Sequence, residues 1–280
     1  MNIRLGDTSL RFSSNDAGFM TDMAETYRPF LTDREPDFDL SFTLDSNLTP
    51  AQARRILRAS RAHQNGSRYY TVPDLIDCRL DWDRRALAVR TQKALFHRDA
   101  DYRLMSYLLR GVYAGVLKKY RQAAVKYHIV HGCGVVSGER FYLFTGVSGS
   151  GKSTVAKLAG HRTVLNDEAV LLSTRGGRFQ ITGSPLTGEV PRTSARKGDL
   201  AAIFFLEHAP EVRLTPLSTT KAYPQLLCQF FDLAPLFEQS DRKTFQERAE
   251  ISARLAQAVP CYTLGFKPDT TFWEVIEHAQ

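Results

Sequence analysis

The sequence has no apolar run long enough to cross a membrane as a helix. Its most apolar stretch, Ala201 to Leu206, has the length of a core strand, whereas a span needs about 20 residues. The first residues, MNIRLGDTSLRF, lack the apolar segment behind a basic end that marks a secretory leader, so none is expected. Cysteine is scarce. Cys78, Cys133, Cys228 and Cys261 are too dispersed for a CxxC metal clip and too few for a disulfide scaffold, and reduced thiols in a cytoplasmic protein are expected. Repeats, low-complexity linkers, zinc-finger spacings and aromatic RNA-binding signatures are all missing. The rest is ordinary for a globular chain of 280 residues, with 43% hydrophobic and 24% charged residues, which excludes wholesale disorder. Lys and Arg number 37 against 30 Asp and Glu, a net charge of +7, concentrated at Arg54, Arg55, Arg58 and Arg61 and again at Lys118, Lys119 and Arg121. With no nucleic-acid motif beside it, that excess points to a phosphorylated ligand or to solubility. Membrane and nucleic acid drop out as expected partners, while a homo-oligomer stays open.

The first hundred residues read as mixed α and β. Asn2 to Phe12 alternates as a strand does, and Thr49-Pro50 supplies an N-cap with Pro at N1 for a helix reaching about Ala62. Cys78 to Val89 reads as a hairpin turning near Asp83-Arg84. Leu104, Tyr107, Leu108, Val112, Gly115 and Val116 recur at helical spacing between about Asp101 and Tyr120. The texture then changes to short strands, Val125 to Val136 and Arg140 to Thr145. A short helix stopping at Gly160 follows, then strands at Thr163–Leu165, Ala169–Ser173 and Arg178–Thr182, with a buried strand at Leu200–Leu206. Arg242 to Val259 predicts a helix with Phe245, Ala249, Ala253 and Ala256 on one face; Tyr262–Phe266 predicts a strand and Thr271–His278 a last helix. The change in texture suggests two domains, residues 1–123 and 124–280.

One segment carries chemistry. Gly146, Val147, Ser148, Gly149, Ser150, Gly151, Lys152 and Ser153 match G-x-x-x-x-G-K-[ST] in full, with a strand expected before and, after, a helix that starts at about Lys152 and carries Thr154 in its first turn. Such a loop cradles phosphates for physical reasons. Its glycines adopt dihedrals that side chains forbid, so successive N–H groups turn toward one anion. Lys152 would reach β- and γ-phosphate oxygens, and the Ser153 hydroxyl would ligate Mg²⁺. Shortly downstream, within VLNDEAVLL, stand Asp167 and Glu168. A hard cation takes oxygen ligands, and a second carboxylate can accept the proton of an attacking hydroxyl. Asn-Asp-Glu is equally good turn chemistry, and only nearness to the phosphate loop favours the functional reading. His131 is balanced between packed strand residue and proton handler. Arg192, Arg196 and Lys197 could clamp a phosphoryl group or form a solvated basic loop.

The run from His131-Gly132 through VSGSGKST into HRTVLNDEAV resembles the catalytic core of HPr kinase/phosphorylase, whose fold is shared with ATP-dependent phosphoenolpyruvate carboxykinase. The similarity covers roughly residues 125–175. It implies an α/β chain with a phosphate-loop core on a mixed sheet, preceded by a smaller mixed α/β N-terminal domain. It implies ATP and Mg²⁺, with Asp167 as the base toward a serine hydroxyl, Glu168 and Ser153 on the metal, and His131 near the phosphates. It implies transfer of the ATP γ-phosphoryl group to a hydroxyl, most readily a serine of a protein or peptide. The sequence departs from the pattern in four places. Thr154 follows Ser153 where the family has Glu, the second acid is Glu, one residue is inserted between His161 and the acids, and the downstream Glu-x-Arg-Gly-Leu-Gly signature is missing. Thr187-Gly188-Glu189-Val190-Pro191-Arg192 is its nearest counterpart. A nucleotide-binding sensor or assembly protein of the same fold is the alternative. The loop also occurs in ABC-type ATPases, but no LSGGQ-like segment precedes Ile203–Glu207, and a GTPase would need an N-K-x-D motif that is not there.

Overall fold

The computed structural model describes residues 1–59, 63–65, 68–72, 75–81, 83–96, 109, 127–186, 188–190, 193–230 and 242–278. It is a mixed α/β architecture of two compact units, a smaller Met1–Arg121 and a larger Gln122–Gln280 built on a mixed sheet. The helix expected between Asp101 and Tyr120, Leu109 apart, and Arg192 with part of the Thr187–Arg192 segment lie outside the described residues. Among the described residues no helix is long and apolar enough to cross a membrane.

The first unit holds a seven-stranded sheet in the order β1-β2-β3-β7-β6-β5-β4. Where one strand was expected there is a hairpin, β1 (Asn2–Leu5) and β2 (Thr8–Ser14), because Gly6 takes φ 63° and turns the chain. Helix α1 (Ala17–Thr26) starts at Asp16, whose carboxylate accepts from Phe19 N. Strand β3 (Phe38–Asp45) buries Phe38, Leu40, Phe42 and Leu44 at the period of two. Helix α2 (Pro50–Ala59) opens with a reciprocal cap, Gln52 N donating to Thr49 Oγ1 and Thr49 N to Gln52 Oε1. Short β4 (His63–Asn65) and β5 (Arg68–Val72) edge the sheet, and β6 (Ile76–Asp81) with β7 (Ala86–Gln92) forms the expected hairpin.

The second unit orders its strands β11-β9-β10-β14-β13-β12-β8, with β15 and β16 continuing beyond β14. The expected strand Val125–Val136 is two strands, β8 (Tyr127–His131) and β9 (Cys133–Ser137), parted at Gly132, where a Cβ would stand 2.9 Å from Phe144 O. Next come β10 (Arg140–Thr145), α3 (Lys152–Lys157), β11 (Thr163–Asn166), β12 (Ala169–Arg175), β13 (Arg178–Thr182) and the long β14 (Lys197–His208). The chain closes with β15 (Arg213–Pro216), α4 (Thr219–Leu227), α5 (Arg242–Ala258), β16 (Cys261–Phe266) and α6 (Thr271–His278). Strand β14 pairs in parallel with β10 and with β16, and these three form the centre of the sheet.

Central β10 is buried on both faces, as parallel strands between helices are. Phe141 and Leu143 join a cluster with Ala222 and Leu226 of α4 and Leu255 of α5, while Tyr142 and Phe144 join another with Val155 of α3 and Phe272 and Trp273 of α6. Three layers result, helices on sheet on helices. Helix α5 forms where expected, but its buried side is only partly the expected one: Ala256 is buried as expected, Ile251, Ser252 and Leu255 are buried with it, and Phe245 is 51% exposed. Branched Ile and Leu bury more apolar area than the Ala positions on which the expectation rested, and they set the buried side.

Candidate functional site

The loop 146–151 runs from the end of β10 into α3, and its glycines meet distinct demands. Gly149 and Gly151 take φ 81° and 106°, and a Cβ on Gly151 would stand 2.7 Å from the Phe266 ring. A Cβ on Gly146 would press 2.8 Å against Ser150 Oγ. The crest is open: Val147 is 75% exposed, and Ser148 and Gly149 are exposed beside it. Ser150 is buried instead, with its backbone N–H on Val147 O at 3.1 Å. Lys152 is buried and folds back over the loop, Nζ donating to Gly146 O and Val147 O at 3.0 Å each. Burial lowers its pKa, partly offset by the nearby Glu168 carboxylate. Ser153 and Thr154 are half-buried in the first turn of α3, where Thr154 O accepts from Leu158 N.

The acids stand in the turn between β11 and β12, fixed from beneath by Asn166. That side chain is fully buried; Nδ2 donates to Ser184 O (2.9 Å) and Leu186 O (3.0 Å), and Oδ1 accepts from Glu168 N (2.7 Å) and Ala169 N (2.9 Å). Asp167 is 2% exposed; Oδ2 accepts from Glu189 N (3.1 Å) and Val190 N (3.3 Å), while Oδ1 is buried and has no hydrogen-bond partner among the described residues. Burial raises its pKa, and the adjacent Ser153 side chain, with the two amides, pulls it part of the way back. Gly188 is pressed against this acid, and any Cβ there would overlap the Asp167 carboxyl. Glu168 is more open, its side chain 37% exposed and Oε2 3.7 Å from His131 Nε2.

The fold therefore gathers Lys152, Ser153, Asp167, Glu168 and His131 at one end of the second unit's sheet. Arg196 and Lys197 go elsewhere. The Arg196 guanidinium lies over the Phe141 ring and 3.8 Å from Glu139, and Lys197 Nζ donates to Tyr127 Oη at 3.0 Å; Glu139 precedes β10 and Phe141 is its second residue, away from the loop 146–151 at its far end. His128 packs edge-on to Phe230. Arg162, in the HRTVLNDE run, is structural: it stacks 4.3 Å from the Trp273 ring centroid and donates to Glu277, pinning α6. Sequence reasoning took Asn166 for plain turn chemistry and missed its four bonds. The only available signal was an amide, a side chain with two donor hydrogens and an acceptor oxygen, directly before the acids. Among the described residues no group of three or more His, Cys, Asp or Glu forms a protein-only metal cage.

No family model matches the chain, and no curated protein matches it in sequence.

Proposed function

We propose that the chain is an ATP-dependent kinase with an HPr kinase-like core, transferring the γ-phosphoryl group to a hydroxyl, most readily a serine of a protein or peptide. One juxtaposition supports this above all: the lysine and serine of a phosphate-loop sequence share one end of the sheet with two acids of opposite exposure. Lys152 would exchange the carbonyls of Gly146 and Val147 for β- and γ-phosphate oxygens. The buried Oδ1 of Asp167, beside Ser153 and without a hydrogen-bond partner among the described residues, suits a hard cation that keeps waters and takes one or two carboxylates. Ser153 and Asp167 would hold Mg²⁺, which when bound neutralises charge on the phosphates. The exposures favour a different division of labour from the one the resemblance implies. Glu168, open and beside His131, is the better placed proton acceptor, and sealed Asp167 the better metal ligand. In the transfer the acceptor oxygen bonds to γ-phosphorus, the bridging P–O bond breaks, ADP leaves, and the hydroxyl proton passes to Glu168. Positioning and charge stabilisation would supply most of the acceleration.

The test is ATP binding and phosphopeptide formation by the wild type and by Lys152→Ala. Binding and labelling that vanish in the variant support the reading. Full activity in Lys152→Ala would place the site elsewhere, and binding without any labelled acceptor would leave the nucleotide sensor in the kinase's place.

A further inference from the structure

The phosphate loop rests on something that no motif contains. Strands β14 and β16 run parallel, and their last paired residues are His208 and Phe266. Both reach the loop. His208 Nε2 lies 2.8 Å from Gly149 O, and since a carbonyl oxygen only accepts, Nε2 carries the hydrogen and donates; the neutral ring and the imidazolium can both do so. The Phe266 ring lies beneath Gly151, closely enough that a Cβ there would overlap it. Phe266 is itself 2% exposed and held edge-to-face by Phe272, with ring centroids 5.2 Å apart. The backbone of β14 adds a third contact, Leu206 O facing the Cβ position of Gly146 at 3.3 Å.

We propose that His208 and Phe266 form a two-point seat that holds the phosphate loop in its anion-binding shape, with His208 the positioning residue for nucleotide phosphates. The proposal rests on the reading of residues 146–153 as a phosphate site. The physical case is that a glycine-rich crest has many conformations to lose. Amides aimed at an anion in advance bind it better than amides that must first be ordered. Phe266 restrains the Gly151 end by packing, but the crest at Gly149 is exposed and has no Cβ neighbour within 4 Å. The imidazole bond ties that crest to the rigid end of β14.

His208 is exposed, so its replacement leaves the core intact. The experiment measures binding of MgATP and of magnesium pyrophosphate to the wild type, His208→Ala, His208→Gln and Lys152→Ala. It also measures amide hydrogen exchange of the loop in nucleotide-free protein. Losing one net hydrogen bond predicts that His208→Ala weakens both ligands by the same factor, about three- to tenfold. Loop exchange should accelerate, the melting temperature should stay put, and Gln, which presents an N–H at similar reach, should restore most of the affinity. Equal affinity and unchanged exchange in His208→Ala, while Lys152→Ala abolishes binding, would overturn the seat and leave the nucleotide site standing. Weakening of MgATP alone would also overturn it, showing that His208 touches base or ribose instead of the loop. Faster exchange in His208→Ala with no binding by the wild type would instead refute the nucleotide reading, and with it the functional role of the seat.

Discussion

Asn166→Asp is close to isosteric, and it inverts the chemistry at one atom. The two bonds accepted by Oδ1 from Glu168 N and Ala169 N survive, but the Nδ2 donors to Ser184 O and Leu186 O become an oxygen facing two carbonyls. Two net hydrogen bonds are lost, and a charge is placed in a fully buried position. The expected cost is about 3–5 kcal/mol at neutral pH. Protonation relieves it, because a neutral carboxyl can donate to one of the carbonyls. The introduced carboxyl therefore has a folded pKa above its unfolded value of about 3.9. With the native state binding more protons, stability falls as pH rises; the deficit is full above the folded pKa and shrinks as pH drops toward the unfolded one. Urea unfolding at pH 8 and pH 5 reads this directly. The chain has 2 tryptophans, and in a Trp82→Phe background Trp273 reports on the unit that holds Asn166. A variant within about 1 kcal/mol of wild type at pH 8, less than the net worth of the two bonds lost, would refute the reasoning, as would an equal deficit at both pH values.

Two further substitutions probe the same turn. Gly188→Ala puts a methyl group where the Asp167 carboxyl stands, so segment 188–190 must lift and the amides of Glu189 and Val190 leave Oδ2; about 1–3 kcal/mol of stability and most ATP turnover should go together, and unchanged thermal melting would contradict the contact. Asp167→Asn should do the opposite to stability. Burial raises the Asp167 pKa, so the native carboxyl favours its proton and wild-type stability declines as pH rises through that folded value. The amide cannot ionise, so the variant should melt higher than wild type at pH 8, match it near pH 4, and lose Mg²⁺-dependent turnover; a lower melting temperature at pH 8 would show that the ionised acid is stabilised in the fold.

Much of the second unit was legible because its strands announce themselves. The FYLF run inside RFYLFT is apolar throughout, as a strand covered on both faces must be, and Gly176-Gly177 marks the β12–β13 turn with φ 57° and 80°. Helix α6 falls on the expected residues, Thr271–His278. Helix α4 was not anticipated, since Pro224 interrupts its pattern and its covering of the sheet through Ala222 and Leu226 is a tertiary fact. The glycine-rich loop and acid pair were visible as strings of residue types, but exposure was not: nothing in Asp167-Glu168 says that the first is sealed and the second open. That depends on Gly188 arriving from a loop far along the chain, and on Asn166 bonding to Ser184 and Leu186. The role of Arg162 was hidden for the same reason, its partners Trp273 and Glu277 lying near the other end of the sequence.

Why three separated motifs should meet at all follows from the direction of one strand. β9 is antiparallel to both of its neighbours, β10 and β11. Its beginning, next to His131-Gly132, therefore lies at the finishing ends of both, where β10 delivers the loop 146–151 and β11 delivers Asn166 and the acids. β14, parallel to β10, brings His208 to the same end. Side chains alternate along a strand, so one misplaced residue in β11 would turn the acids toward the wrong face. β11 does carry an extra residue: Val164 pairs with Val135 and Asn166 with the very next partner, Gly134, leaving Leu165 as a bulge buried in the core. On the HPr kinase-like reading the chain has one residue too many between His161 and the acids, and a bulge is the means by which a sheet absorbs such an insertion without giving up register. The same step leaves Leu165 against the Cβ position of Gly134, so the glycine opposite the bulge is required by packing, and any side chain there would push the acid turn away from the loop.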